Sequence, residues 1–184
     1  MKHLPVRLLI LAGALCISLA TFARPTAATA SSTSVAQIEA IDALRTETWR
    51  WQSLMRKRRT PTLFTERRTT DAAYLRWVLD LWQRRAAGAE RQAKNPPHEA
   101  QWRCIHRYER DPAQGWRTRT GNGFYGGLQM NMAFQQTYGP ELLRRKGTAN
   151  NWTAIEQMWV AERAYRAGRG FYPWPNTARY CGLI

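Results

Sequence analysis

The sequence predicts a mainly α-helical α+β protein, with a basic α-helical hairpin ahead of a second unit whose helices surround one small glycine-rich β turn. Three observations predict it. Two long stretches repeat apolar residues at spacings of three and four, the signature of a helix face. The pair Pro96-Pro97 then interrupts that pattern, and the run Thr120-Gly121-Asn122-Gly123-Phe124-Tyr125-Gly126-Gly127 has tight-turn composition between short extended pieces. The expected organisation is residues 1–30, 31–95 and 96–184.

Residues 1–30 read as a secretory signal peptide. Lys2, His3 and Arg7 precede an apolar run over residues 8–22, and Ala28-Thr29-Ala30 supplies the small-residue cleavage site. The run is shorter than the roughly 20 apolar residues of a membrane-spanning helix, so no stable span is expected after cleavage. The mature chain is then secreted to the cell envelope and keeps two cysteines, Cys104 and Cys181, which in an oxidising compartment most simply form one disulfide. A zinc site from Cys104, Cys181, His98 and His106 fits no finger or ribbon spacing, and no metal or other cofactor is expected.

In the hairpin, Ile41, Leu44, Thr48, Trp51 and Met55 make one stripe of a helix over residues 34–58, which Pro61 ends. A second helix starts at Thr70 or Asp71, carries Tyr74, Leu75, Val78, Leu81 and Trp82 on one face, and stops before Asn95. Arg56, Lys57, Arg58, Arg59, Arg67 and Arg68 lie in the connection, which reads as a solvated turn in preference to a dedicated binding patch. The formal net charge of +15 implies an anionic partner. For an exported chain that partner is an anionic wall polymer or a lipid headgroup before it is nucleic acid, and no helix-turn-helix, finger or RNA-binding motif is present.

In the second unit, Asn95 is a good N-cap and Pro96 suits a first helical position, which predicts a helix over residues 96–109. At 100° per residue, Trp102, Ile105, His106 and Glu109 share one face of it, and Cys104 and Tyr108 point the other way. An acid ending an apolar stripe is pushed towards its protonated form, which is what a general acid requires; the plainer reading is an ion pair with one of the many arginines. The glycines at 126 and 127 allow a ligand or another backbone to approach closely. Downstream, Asn131 caps a short helix, another spans residues 140–146 up to Gly147, and Thr153-Ala154-Ile155-Glu156 is a capping box opening a helix that runs to Gly168. Ile155, Met158, Trp159 and Tyr165 form its expected buried face. The aromatic, proline-rich tail over residues 168–183 is read as non-helical.

The chemistry narrows by exclusion. No serine follows Ser53, both mature cysteines are assigned to the disulfide, and neither His98 nor His106 sits in a metal-ligand motif. Among the carboxylates, Asp111 would face away from Glu109, Glu156 belongs to the capping box and Glu141 sits on an exposed first turn. Glu162 is a rival acid, with a buried ion pair to an arginine as its favoured role. A single acid therefore fits better than a two-carboxylate pair.

The cysteine-led segment with Glu109, the run TGNGFYGGLQM, the later VAERAYRAGRG and the closing Trp-Pro with its cysteine resemble the catalytic domain of resuscitation-promoting factors and related transglycosylase-like proteins. The resemblance covers residues 101–183. It implies a lysozyme-like fold, a disulfide from Cys104 to Cys181, and cleavage of peptidoglycan glycan strands with Glu109 as catalytic acid/base, by a lytic transglycosylase or a muramidase mechanism. It also implies a sugar cleft along Trp116, Thr120, Asn122, Tyr125, Gly126, Gln129 and Trp174. Three departures stand out: Ile105 to Tyr108 intervene between the cysteine and the acid, which are adjacent in the family; a longer stretch, Arg110 to Gly115, replaces a short Gly-Gly turn; and Phe134 and Arg169 stand where the family's cleft has Thr and Gln. The alternatives are a non-catalytic wall-binding or growth-signalling protein and, more remotely, a cationic membrane-active one.

Overall fold

A computed structural model describes residues 27–184; the expected leader lies outside the described residues through residue 26. Helix α1 (Ala27–Leu54) and helix α2 (Ala72–Ala93) pack along their length, but they run parallel and not as the expected antiparallel hairpin. Ile41 packs with Leu75 and Val78, Trp49 meets Trp82, and Lys57 just past the end of α1 donates to the Gln92 side chain near the end of α2 at 2.8 Å, so the long connection doubles back along the pair. Ile41, Leu75, Val78 and Trp82 form the apolar seam between them. The Trp82 indole N–H donates to the buried Glu66 carboxylate at 3.1 Å, which ties the connection down over the seam. Asp71 caps α2 by accepting from the backbone N–H groups of Ala73 and Tyr74.

The first helix stops four residues before its expected end. Arg56 adopts φ +52°, the Arg56 N–H bonds back to the Ser53 carbonyl, and the Lys57 N–H bonds to the Gln52 carbonyl at 2.8 Å. This is a Schellman closure with arginine at the left-handed position that favours glycine. It throws Arg56, Lys57, Arg58 and Arg59 out of the helix and into solvent, as a solvated turn requires. Trp49 donates its indole N–H to the Thr60 carbonyl at 2.9 Å and so holds the turn against α1.

The second unit contains α3 (Glu99–Glu109), strands β1 (Phe124–Tyr125) and β2 (Met130–Asn131), then α4 (Met132–Tyr138), α5 (Pro140–Lys146), α6 (Ala154–Ala164) and α7 (Pro175–Tyr180). The predicted caps are present: the Asn131 side chain accepts from the Phe134 N–H, Pro140 opens α5, Gly147 closes it, and both halves of the Thr153–Glu156 capping box form. The two strands pair antiparallel, Phe124 with Asn131 and Tyr125 with Met130, across a turn over residues 126–129. A further bridge joins Arg119 to Tyr125, so the Gly121-Asn122-Gly123 segment is itself a turn. The architecture is the expected mainly helical, lysozyme-like α+β arrangement with a single two-stranded sheet among the described residues.

Three further expectations are corrected. Helix α3 starts at Glu99 with His98 at its N-cap, because the Asn95 side chain instead donates to the Arg91 carbonyl and closes α2. The tail contains a helix, α7: Pro175 occupies its first turn, where the missing N–H costs nothing. Helix α6 ends earlier than Gly168, widening over Tyr165–Arg169 before Gly168 (φ +84°) and Gly170 (φ +51°) turn the chain back.

The core of this unit is aromatic, with Trp102, Trp152, Trp159, Phe171 and Trp174 packed among Leu128, Met130, Leu142, Met158 and Val160. The C-terminal ends of α1 and α2 both enter the same core, through Leu54, Met55 and Ala93. These two helix ends leave carbonyls without intrahelical partners, and α6 supplies them. Arg163 donates to the Leu54 carbonyl at 2.8 Å, and the Trp159 indole donates to the Ala93 carbonyl at 2.7 Å.

Two substitutions test these connections. Arg56→Gly relieves the left-handed strain and should raise stability by about 0.5–1 kcal/mol in urea unfolding. Glu162→Ala strips the partner from two backbone and indole donors described below and should lower stability by about 3 kcal/mol by the same measurement.

Candidate functional site

Glu109 is the last residue of α3, and two links set its position. Cys104 and Cys181 form the disulfide between α3 and α7, with Cα atoms 6.0 Å apart. Four residues before Cys181, the Thr177 hydroxyl donates to Glu109 Oε1 at 2.9 Å. Residue numbers rise along α3 as they fall along α7, so the two helices run antiparallel, with the Tyr108 and Tyr180 rings 5.6 Å apart between the links. The disulfide excludes a zinc site at the two cysteines, and no group of three or more metal-binding side chains occurs among the described residues.

Burial pushes the Glu109 carboxyl above its usual range, and the Thr177 hydrogen bond, which favours the charged form, partly opposes that shift. The other acids are engaged elsewhere. Asp111 accepts from the backbone N–H groups of Ala113 and Gln114 and shapes its own loop. Glu162 is 1 % exposed and takes the His98 backbone N–H at 3.0 Å, the His98 ring at 2.8 Å and the Trp102 indole at 2.7 Å on one oxygen. The expected arginine partner is the more distant one, with Arg166 at 3.9 Å. Glu162 therefore clamps α3 to α6 and does not face the cleft.

Glu109 lines a groove of about 270 Å³ together with Asn122, Phe124, Gln129, Pro173, Trp174, Pro175 and Asn176. It continues into a hollow of about 140 Å³ that shares Phe124, Gln129, Pro173 and Trp174 and adds Phe134 and Arg169. A larger hollow of about 400 Å³ lies between α1 and α5, but its two acids are committed, Glu141 to Arg163 and Glu156 to Lys146. The groove with a carboxyl available for proton transfer is the one at Glu109.

The glycine turn builds one wall. Gln129 has φ +46° and donates its side-chain amide to the Gly126 carbonyl at 2.8 Å, while Thr120 bonds both Asn122 and Gln129 at the groove's edge. The Trp174 indole donates to the Leu128 carbonyl at 2.5 Å and fixes the opposite wall to this turn.

Three residues assigned to the cleft lie elsewhere. Trp116 stacks on His106 with ring centroids 3.8 Å apart, Tyr125 packs against the core, and Gly126 is buried. The close approach at the paired glycines is internal: a Cβ on Gly126 would meet Gln157 at 2.5 Å, and one on Gly127 would meet His106 at 2.4 Å. His106 makes a 3.0 Å hydrogen bond through Nδ1 with the Gly127 carbonyl, and burial lowers its pKa, so it is a neutral brace donating to that carbonyl.

Thr177, Asn176, Phe124 and the two flanking prolines were not singled out from the sequence. The Cys104–Cys181 pairing would have found Thr177 had the tail been read as helical, since antiparallel helices joined there bring residues near 108 opposite residues near 177.

Fold and site together define a lysozyme-like domain with a single half-buried acid in an aromatic-walled groove. Residues 96–177 match the family described as the transglycosylase-like domain. The resuscitation-promoting factor Rpf1 of Corynebacterium glutamicum is 37% identical over 68 residues, a match covering 37% of this chain and 34% of the relative. The chain thus covers about a third of that relative's length. No solved structure matches.

Replacing Thr177 by Val removes the one hydrogen bond that favours ionised Glu109. Its titration midpoint, followed by carbon NMR of the labelled carboxyl, should move further upward, whereas Thr177→Ser should leave it near the wild-type position.

Proposed function

We propose that the protein is an exported enzyme that cleaves the glycan strand of peptidoglycan between N-acetylmuramic acid and N-acetylglucosamine, with Glu109 as its acid/base. The observation that carries the reading is that Glu109 is the single carboxylate lining the groove, within a segment that matches the transglycosylase-like family. The groove's length and its aromatic and amide walls suit a sugar chain. The chain's net charge of +15 suits an envelope rich in anionic polymer.

In this mechanism protonated Glu109 donates its proton to the glycosidic oxygen as the bond from that oxygen to the anomeric carbon breaks. The resulting carboxylate then accepts a proton from the nucleophile that closes on the anomeric carbon. If the nucleophile is the sugar's own hydroxyl, the product carries an anhydro ring; if it is water, the product is a reducing end. Burial helps the first step, because it keeps the carboxyl protonated at a pH where an exposed one is ionised. Near-neutral proton donation by a placed acid contributes about 10²- to 10⁴-fold to rate.

Purified protein should release soluble muropeptides from cell walls, with mass spectrometry distinguishing anhydro from reducing ends. Glu109→Gln should lower release by about 10²-fold or more while leaving the fold intact. Sedimentation with peptidoglycan but no products from the wild type would favour wall binding without cleavage. Activity should fall as pH rises through the raised Glu109 pKa. Stability follows the same direction: the folded chain holds the Glu109 proton more tightly than the unfolded one, so this contribution is complete below the unfolded pKa and lost as pH rises through the folded one. The Gln variant should lack that decline.

A further inference from the structure

The hollow beside Glu109 carries a charge that the glycan-cleaving reading does not use. Arg163, Arg166 and Arg169 follow one another at intervals of three along the end of α6 and its widened turn. The first pairs with Glu141 and the second lies 3.9 Å from Glu162. Among the described residues no carboxylate pairs with Arg169, although several acids lie in the same unit. Its backbone is held, with the carbonyl accepting from the Tyr172 N–H at 3.2 Å, between two glycines in left-handed conformation. The side chain is exposed and forms part of the wall of the hollow.

The rest of that hollow is apolar or already committed. Phe134 meets Trp174 edge-on with ring centroids 5.4 Å apart, and Pro173 completes the floor. The Gln129 amide donates to Gly126, and the Asn131 side chain caps α4. A neutral sugar therefore finds few free hydrogen-bonding groups here, whereas a carboxylate finds a guanidinium with its donors unspent, beside an aromatic floor. Paired donation from arginine to a carboxylate is among the stronger and more directional contacts available.

We infer that the Phe134–Arg169 hollow is a carboxylate-reading subsite next to the acid, selecting glycan whose bound sugar unit carries a free carboxylate. The inference rests on the glycan-cleaving reading for the identity of the chain bound in the groove. Two parts of peptidoglycan supply the chemistry. One is the lactyl carboxylate of the muramic residue, which is free only where the peptide has been removed by amide hydrolysis. The other is a carboxylate of the attached peptide.

The test measures binding to the Glu109→Gln protein, so that cleavage does not intervene. The probes are a muramic-acid-containing tetrasaccharide with free lactyl carboxylates, the same tetrasaccharide with those groups converted to methyl amides, and a peptide-bearing tetrasaccharide with its peptide carboxylates free or amidated. Expected is a preference of about tenfold or more for a free acid over its amide, erased by adding Arg169→Gln and partly retained by Arg169→Lys. Whichever acid–amide pair shows the preference identifies the source of the carboxylate. Equal binding within both pairs, or a preference that survives Arg169→Gln, overturns the inference. Cleavage of acid and amide forms by the wild type at equal kcat/KM would sink it while leaving the enzyme standing. Selective binding without any cleavage by the wild type would sink the enzyme and leave the subsite. Failure to bind any probe would remove both.

Discussion

Helix α6 is the constraint on which the remaining structure depends. Every residue from Glu156 to Ala164 is buried, an environment that expels polar groups unless each finds a partner. Most of its polar side-chain atoms find hydrogen-bond partners in other elements, while Gln157 Oε1, Glu162 Oε2 and Arg163 Nε are left without one among the described residues. The Gln157 amide donates to the carbonyls of Trp116, Ala149 and Trp152, Trp159 closes α2, and Arg163 reaches Leu54 and Tyr138. Glu162 takes the first turn of α3 through His98 and Trp102. One helix thus satisfies exposed backbone at the ends of α1 and α2, the loop before the glycine turn and the acid-bearing helix. Because an unsatisfied buried polar group costs about 1–3 kcal/mol, these contacts specify the arrangement more by the penalty of losing them than by their net gain.

The groove inherits its geometry from that hub at one remove. Glu162 and the aromatic core fix α3, and α3 presents Glu109 from its last turn, where the helix no longer shields it from the groove. On the other side, Gln157 and His106 occupy the space that side chains at positions 126 and 127 would need, which presses the turn inward and leaves Gln129 and Asn122 at the surface. Trp174 then joins the turn to α7 through the Leu128 carbonyl. The walls of the groove therefore come from three separated parts of the chain, each locked by contacts behind it.

What the sequence made legible follows from the range of each interaction. Caps are local, so Asp71, Asn131, Gly147 and the Thr153–Glu156 box could be read from a few neighbours. Helix faces are periodic, so Trp102, Ile105, Val78 and Trp82 could be placed in cores without knowing what covers them. The partners of Glu162 were not legible, because its periodicity says that it is buried and not that His98 and Trp102 wait above it. Nor was the role of Gly126 and Gly127, since a glycine that admits a ligand and one that admits a neighbouring side chain look alike in a sequence. Helix α7 was missed because proline was weighed as a breaker when Pro175 stands at a helix's first turn, and Thr177 was missed with it.

The spacing between Cys104 and Glu109 shows how a departure in sequence leaves a disulfide between the same two helices possible. In the family that the segment resembles, the acid follows the cysteine directly; here four more residues intervene. Four residues advance a helix by about 6 Å and turn it by about 40° beyond a full circle, so the cysteine keeps nearly the same flank one turn further back. The disulfide can therefore still join α3 to α7, as the Cys104–Cys181 bond does. Its leverage on the acid is weaker from one turn away. That local task falls to Thr177, which lies one turn before Cys181 on the facing helix and holds the carboxyl directly. The covalent link sets the register of the two helices, and the hydroxyl, working within that register, orients the acid and partly offsets the rise in proton affinity that burial causes.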